Sequence, residues 1–336
     1  MKKMIAFIVA IVAIIAVGVG VSMNSNKKDT ATKKKDVPTV GILQLMSHPA
    51  LDSIHKGIKA GLKESGYTVG KDVKIDFQNA ENDQSNLKSM SEKFVNEKVD
   101  VAVGIATPSA QALANATSSI PIVMGAITDP VSAKLVKSEK KPGGNITGVS
   151  DQAPIAAQLK LIRQIMPKTK TLGVIYTSSE ESSQAQVKIL EGLVKKYGFT
   201  LKKYSISSTN DLNQVAGEMA SKVQAVFVPT DNTIASAMQT LVKATNAKKI
   251  PVFPTVDTMV KDGGLATVGL NQYQLGVETG KMVADILDGK RKPATTPVKF
   301  MTKGDLVINE KVAKQLGIDI PASLTKQAEK SGEVFK

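Results

Sequence analysis

The sequence predicts an α/β fold in which two doubly wound parallel-sheet lobes are joined by a hinge, after an N-terminal membrane segment. Three observations carry this reading. From residue 38 onward, short β-branched runs alternate with amphipathic stretches, the pattern of a parallel sheet covered by helices. The pattern is written twice. Val40-Gly41-Ile42 recurs as Leu172-Gly173-Val174, 132 positions on, and Ile120-Pro121-Ile122-Val123 recurs as Ile250-Pro251-Val252-Phe253, 130 positions on. The body, about 300 residues, also exceeds what one hydrophobic core usually serves.

At the N-terminus, Lys2 and Lys3 precede an uncharged apolar run over residues 4–23. That run matches the roughly 20 residues needed to cross a bilayer core and also resembles a secretory signal. Residues 1–23 are therefore read as a signal or transmembrane anchor, and 24–37 as a flexible, lysine-rich tether too polar to offset its ordering entropy. Cysteine is absent, which excludes disulfides, thiolate metal sites, a cysteine nucleophile and lipid attachment through cysteine. Anchoring then falls to the apolar run. The first 36 residues hold +5 of the net charge of +14. The body shows no dense basic run interleaved with aromatics, so no nucleic-acid partner is expected. A lysine-rich surface suits an anionic envelope.

The first lobe is predicted to carry strands at 39–45, 73–77, 99–104, 122–125 and 146–149, with helices at 50–65, 84–97 and 109–117. The second repeats the grammar, with strands at 171–176, 200–205, 225–228, 252–253 and 265–269 and helices at 182–196, 210–220 and 233–245. A long helix at 273–287 and a strand at 298–301 follow. Such late segments cross back between lobes and favour hinge closure. The division is 38–150 with 271–295 for the first lobe, 151–270 with 296–325 for the second, and 326–336 as a tail.

In open parallel sheets ligands sit beyond the carboxyl ends of the strands, against helix N-termini whose N–H groups suit an anion. After the third strand, Thr107 reads as a helix cap, with Ser109 and Ala110 offering N–H groups. After the fourth, Asp129 either caps the next turn or lines the cleft. Ser150 and Asp151 lie near the lobe crossing. In the second half Ser178, Ser179 and Glu180, then Thr230, Asp231 and Asn232, follow strands, and Asn271 follows the strand leading back. Each is also an ordinary cap or turn former. Together they form a polar ring suited to a carboxylate at one end and an ammonium at the other. Apolar walls would come from Met46, Met124, Tyr176, Phe253 and Tyr273.

The segments VGILQLMSHPALDSIHKGIKAGL, VGIATPSAQALANAT, IPIVMGAITDPVSAKLV, NITGVSD, LGVIYTSSEESS, VFVPTDNTIASA and VGLNQYQLGVETGKM resemble the substrate-binding components of ABC importers. Within these, they are most similar to the branch associated with tryptophan and related aromatic amino acids in Gram-positive bacteria. The resemblance spans about residue 38 to Pro321. It implies a periplasmic-binding-protein-like fold of type I, no catalysis, and delivery of an amino acid, L-tryptophan or another aromatic one first, to a membrane permease and its ATPase. It places Thr107, Ser109 and Ala110 at the carboxylate. Asp151, Asp231 and Asn232 fall around the amino end, and Ser178, Ser179 and Glu180 on the facing lobe. The expected setting is extracytoplasmic, on the surface of a Gram-positive cell, held by the N-terminal helix. A monomer is expected, without cofactor or metal.

Two other classes stay open. A stand-alone receptor for a membrane sensor would use the same module, and a different small carboxylate or a nucleoside would fit a similar cleft. An enzyme is disfavoured: His48 and His55 lack a G-x-S-x-G elbow or a metal-ligand set, and no glycine lies in residues 44–48. His48, ahead of Pro49 in a turn, could touch a ligand.

Overall fold

The computed structural model describes residues 37–301 and 303–336. The predicted membrane segment and all of the tether but Val37 lie outside the described residues. Among those described, no helix is long and apolar enough to cross a membrane.

The chain runs β1 (Thr39–Gln44), α1 (Pro49–Glu64), β2 (Lys74–Asn79), α2 (Gln84–Asn96), β3 (Val101–Ile105), α3 (Thr107–Ala116), β4 (Ile122–Gly125) and β5 (Ile146–Ser150). It continues through α4 (Ile155–Ile165), β6 (Thr171–Thr177), α5 (Glu181–Leu193), β7 (Thr200–Ile206), α6 (Thr209–Ala220) and β8 (Ala225–Val228). Next come α7 (Asn232–Ser236), α8 (Met238–Asn246), β9 (Val252–Pro254), α9 (Asp257–Lys261) and β10 (Ala266–Gly269). The chain ends with α10 (Gln272–Leu287), β11 (Lys299–Phe300), β12 (Asp305–Asn309), α11 (Glu310–Leu316), α12 (Ala322–Ser331) and β13 (Glu333–Phe335).

Six strands in the order β11-β5-β4-β3-β1-β2 form one parallel sheet, and β7-β6-β8-β9 form a second. The order β2-β1-β3-β4 is thus the same as β7-β6-β8-β9, and the sequence repeat has a physical counterpart. Gly41 in β1 lies directly under Phe94 of α2, and Gly173 in β6 lies under Met219 of α6. In each copy a side chain on the first strand would displace the helix that covers it. Separate cores lie on the two sheets, one around Ile42, Val103 and Val123, the others around Leu172 and Phe227 and around Ile175 and Val226.

Three features depart from expectation. First, β11 pairs with β5, and Val298 and Phe300 pack on the first core, so residues 298–301 belong to the first lobe and not the second. Second, 326–336 is no tail: α12 runs to Ser331, and β13 pairs with β12 beside β10 in a third sheet. Gln158 on α4, missed by the sequence reading, ties this sheet to the second. Its amide donates to the carbonyls of Pro254 and Ala266 and accepts from Val268 N–H at 2.7 Å. Third, the helix predicted at 233–245 breaks at Ala237, whose φ of −120° ends α7 before α8 begins.

The helix pair α1 and α10 packs backbone to backbone. Gly57 and Gly61 on one helix face Gly276 and Gly280 on the other, and a Cβ at any of them would meet the opposite helix's carbonyl groups. Only glycine permits this approach. The pair acts as one rigid strut, carrying His48 at the head of α1 and Gln272 at the start of α10.

Candidate functional site

The ends of β1, β3, β4 and β5 in the first lobe face those of β6, β8 and β9 in the second. A small cavity lies between them, lined by His48, Thr107, Thr128, Asp151, Ser182, Thr230, Asp231, Asn232 and Gln272, with Ala50, Leu51, Ile54, Ala235 and Val256 as apolar wall. It holds about 20 Å³, the space of about one water. Entry of anything larger requires the lobes to separate. Side-chain hydrogen bonds across the interface include His48 Nε2 to Asn232 Oδ1 at 3.2 Å, Gln111 Nε2 to Glu181 Oε2 at 2.9 Å, and Thr128 Oγ1 to Asp151 Oδ1 at 2.8 Å beside the lobe crossing. Ala50, on α1, packs into the second lobe's core. The lobes are closed.

The first-lobe end of the cavity is built by strain and by omission. Ala106, immediately after β3, has φ 75° and ψ 155°, and Ala126, immediately after β4, has φ 64°. Both line the cavity. Non-glycine residues in this region cost about 1–3 kcal/mol each, and such strain gathers at functional sites. Ala106 is the N-cap residue of α3, so Thr107 is the first helical residue and not the cap, and α3 has no side-chain cap. Ser109 Oγ is fully buried, without a hydrogen-bond partner among the described residues. An uncapped ten-residue helix with a buried, unpaired hydroxyl in its first turn is set for an oxyanion. Replacing Ala126 with glycine is expected to raise stability by about 1 kcal/mol by relieving the strain while weakening ligand binding. Thermal melting with parallel titration checks this.

Three carboxylates near the cleft differ in what they already hold. Asp231 accepts from Thr177 N–H and Oγ1 and from Ile234 N–H, at 2.6, 2.8 and 3.0 Å. Glu180 accepts from the backbone and side chains of Asn232 and Thr233, at 2.6–3.0 Å, and so holds the start of α7. Burial, and then the Asp231 charge, push Glu180 up to about 7 against the pull of those donors. Among the described residues Asp151 receives only Thr128 Oγ1, at 2.8 Å, and its own N–H, and burial pushes it up to about 6. An ionised carboxylate has about four acceptor sites; among the described residues Glu180 has four donors, Asp231 three and Asp151 two, so Asp151 keeps the most capacity for a ligand cation.

Of the residues singled out in sequence, His48, Thr107, Asp151, Thr230, Asp231 and Asn232 meet at the cavity. Thr107, Ser179 and Glu180 also line an outer groove of about 640 Å³, which shares Thr107 and Ser182 with the cavity. Several of the others are spent elsewhere. Ala110 is buried in the first core and gives its N–H to Ala106 O. Asp129 takes the cap role, accepting from Ser132 N–H, and Asn271 caps α10. Ser178 is exposed. Met46 and Tyr176 pack against the first and second cores, as Met124 and Phe253 do from within them, and Tyr273 is exposed. Ala106, Ala126, Thr128 and Gln272 were not foreseen. The alanines carry no chemical signal, since their role is a backbone conformation.

Raised carboxyl pKa values fix a pH dependence. Asp151 and Asp257, both pushed up to about 6 chiefly by burial, and Glu180 at about 7 hold protons that the unfolded chain has already released. The folded state therefore binds more protons between about pH 4 and 7, and stability falls as pH rises through that window. Melting temperature without ligand is expected to be higher at pH 5 than at pH 7.5; the reverse order would contradict this account of the three carboxyls.

The family described as ABC transporter substrate binding protein matches residues 39–331. A tyrosine-binding protein of Clostridioides difficile is 40% identical over 322 residues, covering 94% of this chain and 92% of that one. An ABC domain from Streptococcus pneumonia, solved in complex with L-Trp, is 48% identical, with TM-score 0.85 over 89% of this chain and 99% of that one. The ligand-free, open structure of a Clostridium difficile substrate binding protein with adhesive properties is 39% identical, with TM-score 0.70 over 89% and 100%. The likeness is thus higher to the L-Trp complex than to the open form.

Proposed function

The chain belongs to the ABC transporter substrate-binding proteins, and from that premise we propose that it captures an aromatic amino acid, L-tryptophan or L-tyrosine, in the interlobe cleft and delivers it to a membrane permease. It is a solute-binding protein and not an enzyme, and the substrate-binding proteins of ABC importers work outside the cytoplasm. The observation that carries the ligand class is the pairing of an uncapped helix N-terminus with one uncommitted buried carboxylate across a small cleft. The carboxylate of an amino acid meets Thr107 and Ser109, its ammonium meets Asp151, and its side chain lies toward Ala50, Leu51, Ile54, Ala235 and Val256. The named ligands of the two relatives support the aromatic choice.

The N-terminal apolar run serves as signal or anchor, and the protein sits at the surface of a Gram-positive cell as a monomer. Residues 38–150 with 271–301 make the first lobe in this reading, and 151–270 with 303–336 the second.

The chain contains no tryptophan, so indole fluorescence reports added ligand alone. Titration with L-tryptophan, by fluorescence and calorimetry, is expected to show saturable one-to-one binding at micromolar concentration or below. Tight binding of a sugar or nucleoside with none of an aromatic amino acid would overturn the proposal. Affinity is also expected to fall as pH drops below about 6, when Asp151 takes up its proton.

A further inference from the structure

His48 is buried at the head of α1, and its hydrogen-bond roles are fixed by its neighbours. Asn232 gives its Nδ2–H to Glu180 Oε2, at 3.0 Å, so its Oδ1 faces His48 as an acceptor. Glu180 also receives the N–H groups of Asn232 and Thr233, which only an acceptor can do. His48 Nε2 must therefore carry the proton in the bond to Asn232. In a neutral imidazole that leaves Nδ1 as a bare acceptor. It is buried and has no partner among the described residues. Burial lowers the His48 pKa, in keeping with the neutral ring.

A buried acceptor without a donor is costly, and such an atom beside a cleft invites a ligand donor. The amino acid's main-chain groups are already served by α3 and Asp151. His48 instead opens the helix whose first turns supply Ala50, Leu51 and Ile54 to the apolar wall. We propose that His48 is a specificity-determining residue, whose Nδ1 accepts a hydrogen bond from the indole N–H or phenol O–H of the bound side chain. This rests on the aromatic amino acid reading above and adds a selection rule to it. The site takes aromatic side chains that carry a polar hydrogen and discriminates against those that lack one. It also couples selection to closure, since the same ring holds Asn232 of the second lobe through Nε2.

The test compares L-tryptophan, 1-methyl-L-tryptophan, L-tyrosine and L-phenylalanine on the unaltered protein and on His48→Leu by calorimetry, with melting curves to confirm folding. The unaltered protein is expected to prefer tryptophan and tyrosine over the other two by about tenfold or more, the cost of leaving a buried acceptor unmet. In His48→Leu the preference should fall below about threefold. Equal affinity across the four ligands, or loss of all four by the same factor in His48→Leu, would overturn the proposal. The first places no donor at Nδ1, and the second places the ammonium there. Should His48→Leu fail to fold, the unaltered protein still decides. With only two histidines, imidazole ¹⁵N spectra resolve His48, whose Nδ1 resonance should move with tryptophan and not with phenylalanine. An unmoved Nδ1 with bound tryptophan contradicts the proposal. Failure to bind any aromatic amino acid would instead remove the functional reading beneath it.

Discussion

Gly276→Val is expected to destabilise the protein by about 3–5 kcal/mol, with a fall in melting temperature of about 10 °C or more. Gly276 faces the backbone of Ile54 and Gly57 on α1, so its new side chain has no space unless the two helices part. Parting them strips contacts from Ile54, Ile58, Leu62, Leu275 and Val283, all nearly fully buried. The strut also positions His48 and Gln272 at the cleft, so any folded remainder should bind ligand poorly. Gly192→Ala provides the control. Gly192 sits on α5, exposed, with nothing near its missing Cβ, and alanine there should add about 0.5–1 kcal/mol through helix propensity. Thermal and denaturant melting of the two variants separates loss of close packing from a generic effect of replacing glycine.

Asp151→Asn carries the second large effect, and its sign differs between stability and binding. The amide keeps an acceptor for Thr128 Oγ1 and removes a charge that burial already disfavours, so the unliganded protein should melt at an equal or higher temperature. Ligand affinity, in contrast, should drop about a hundredfold or more, the loss of a buried charge-assisted bond to the ammonium. The pH profile below 6 should flatten at the same time, because the titrating group is gone. Asp231→Ala gives a contrasting pattern. Its carboxylate holds Thr177 and the first turn of α7, so it should lose about 2–4 kcal/mol of stability along with affinity.

Much of the architecture was legible because the two sheets obey one steric rule. The glycines at 41 and 173 recur because a helix residue sits on each first strand, and that requirement shows directly in the residues. The third sheet was not legible. Its last strand, Glu333–Phe335, is short and half-exposed, and nothing in its composition distinguishes it from a polar terminus. The closing strand at Lys299–Phe300 gave its type but not its sheet, since either lobe could have received it.

The site divides in the same way. Residues following strand ends were readable from topology alone, and Thr107, Asp151, Asp231 and Asn232 do meet there. Which carboxylate stays free was not readable. Asp231 and Asp151 both follow β-strands, yet one accepts three hydrogen bonds from Thr177 and Ile234, of β6 and α7, and the other has only Thr128 and its own N–H among the described residues. That difference depends on tertiary partners and not on local pattern. Nor did the sequence mark the two alanines, whose contribution is a φ angle.

In the proposed complex the cleft orients an amino acid between the bare start of α3 and Asp151. A crystal structure of the protein grown with L-tryptophan should show the ligand enclosed by both lobes, its carboxylate within hydrogen-bond distance of Thr107 and Ser109 and its ammonium on Asp151. A ligand in the outer groove by Gln111, or one turned so that its carboxylate faces Asp151, would contradict this placement.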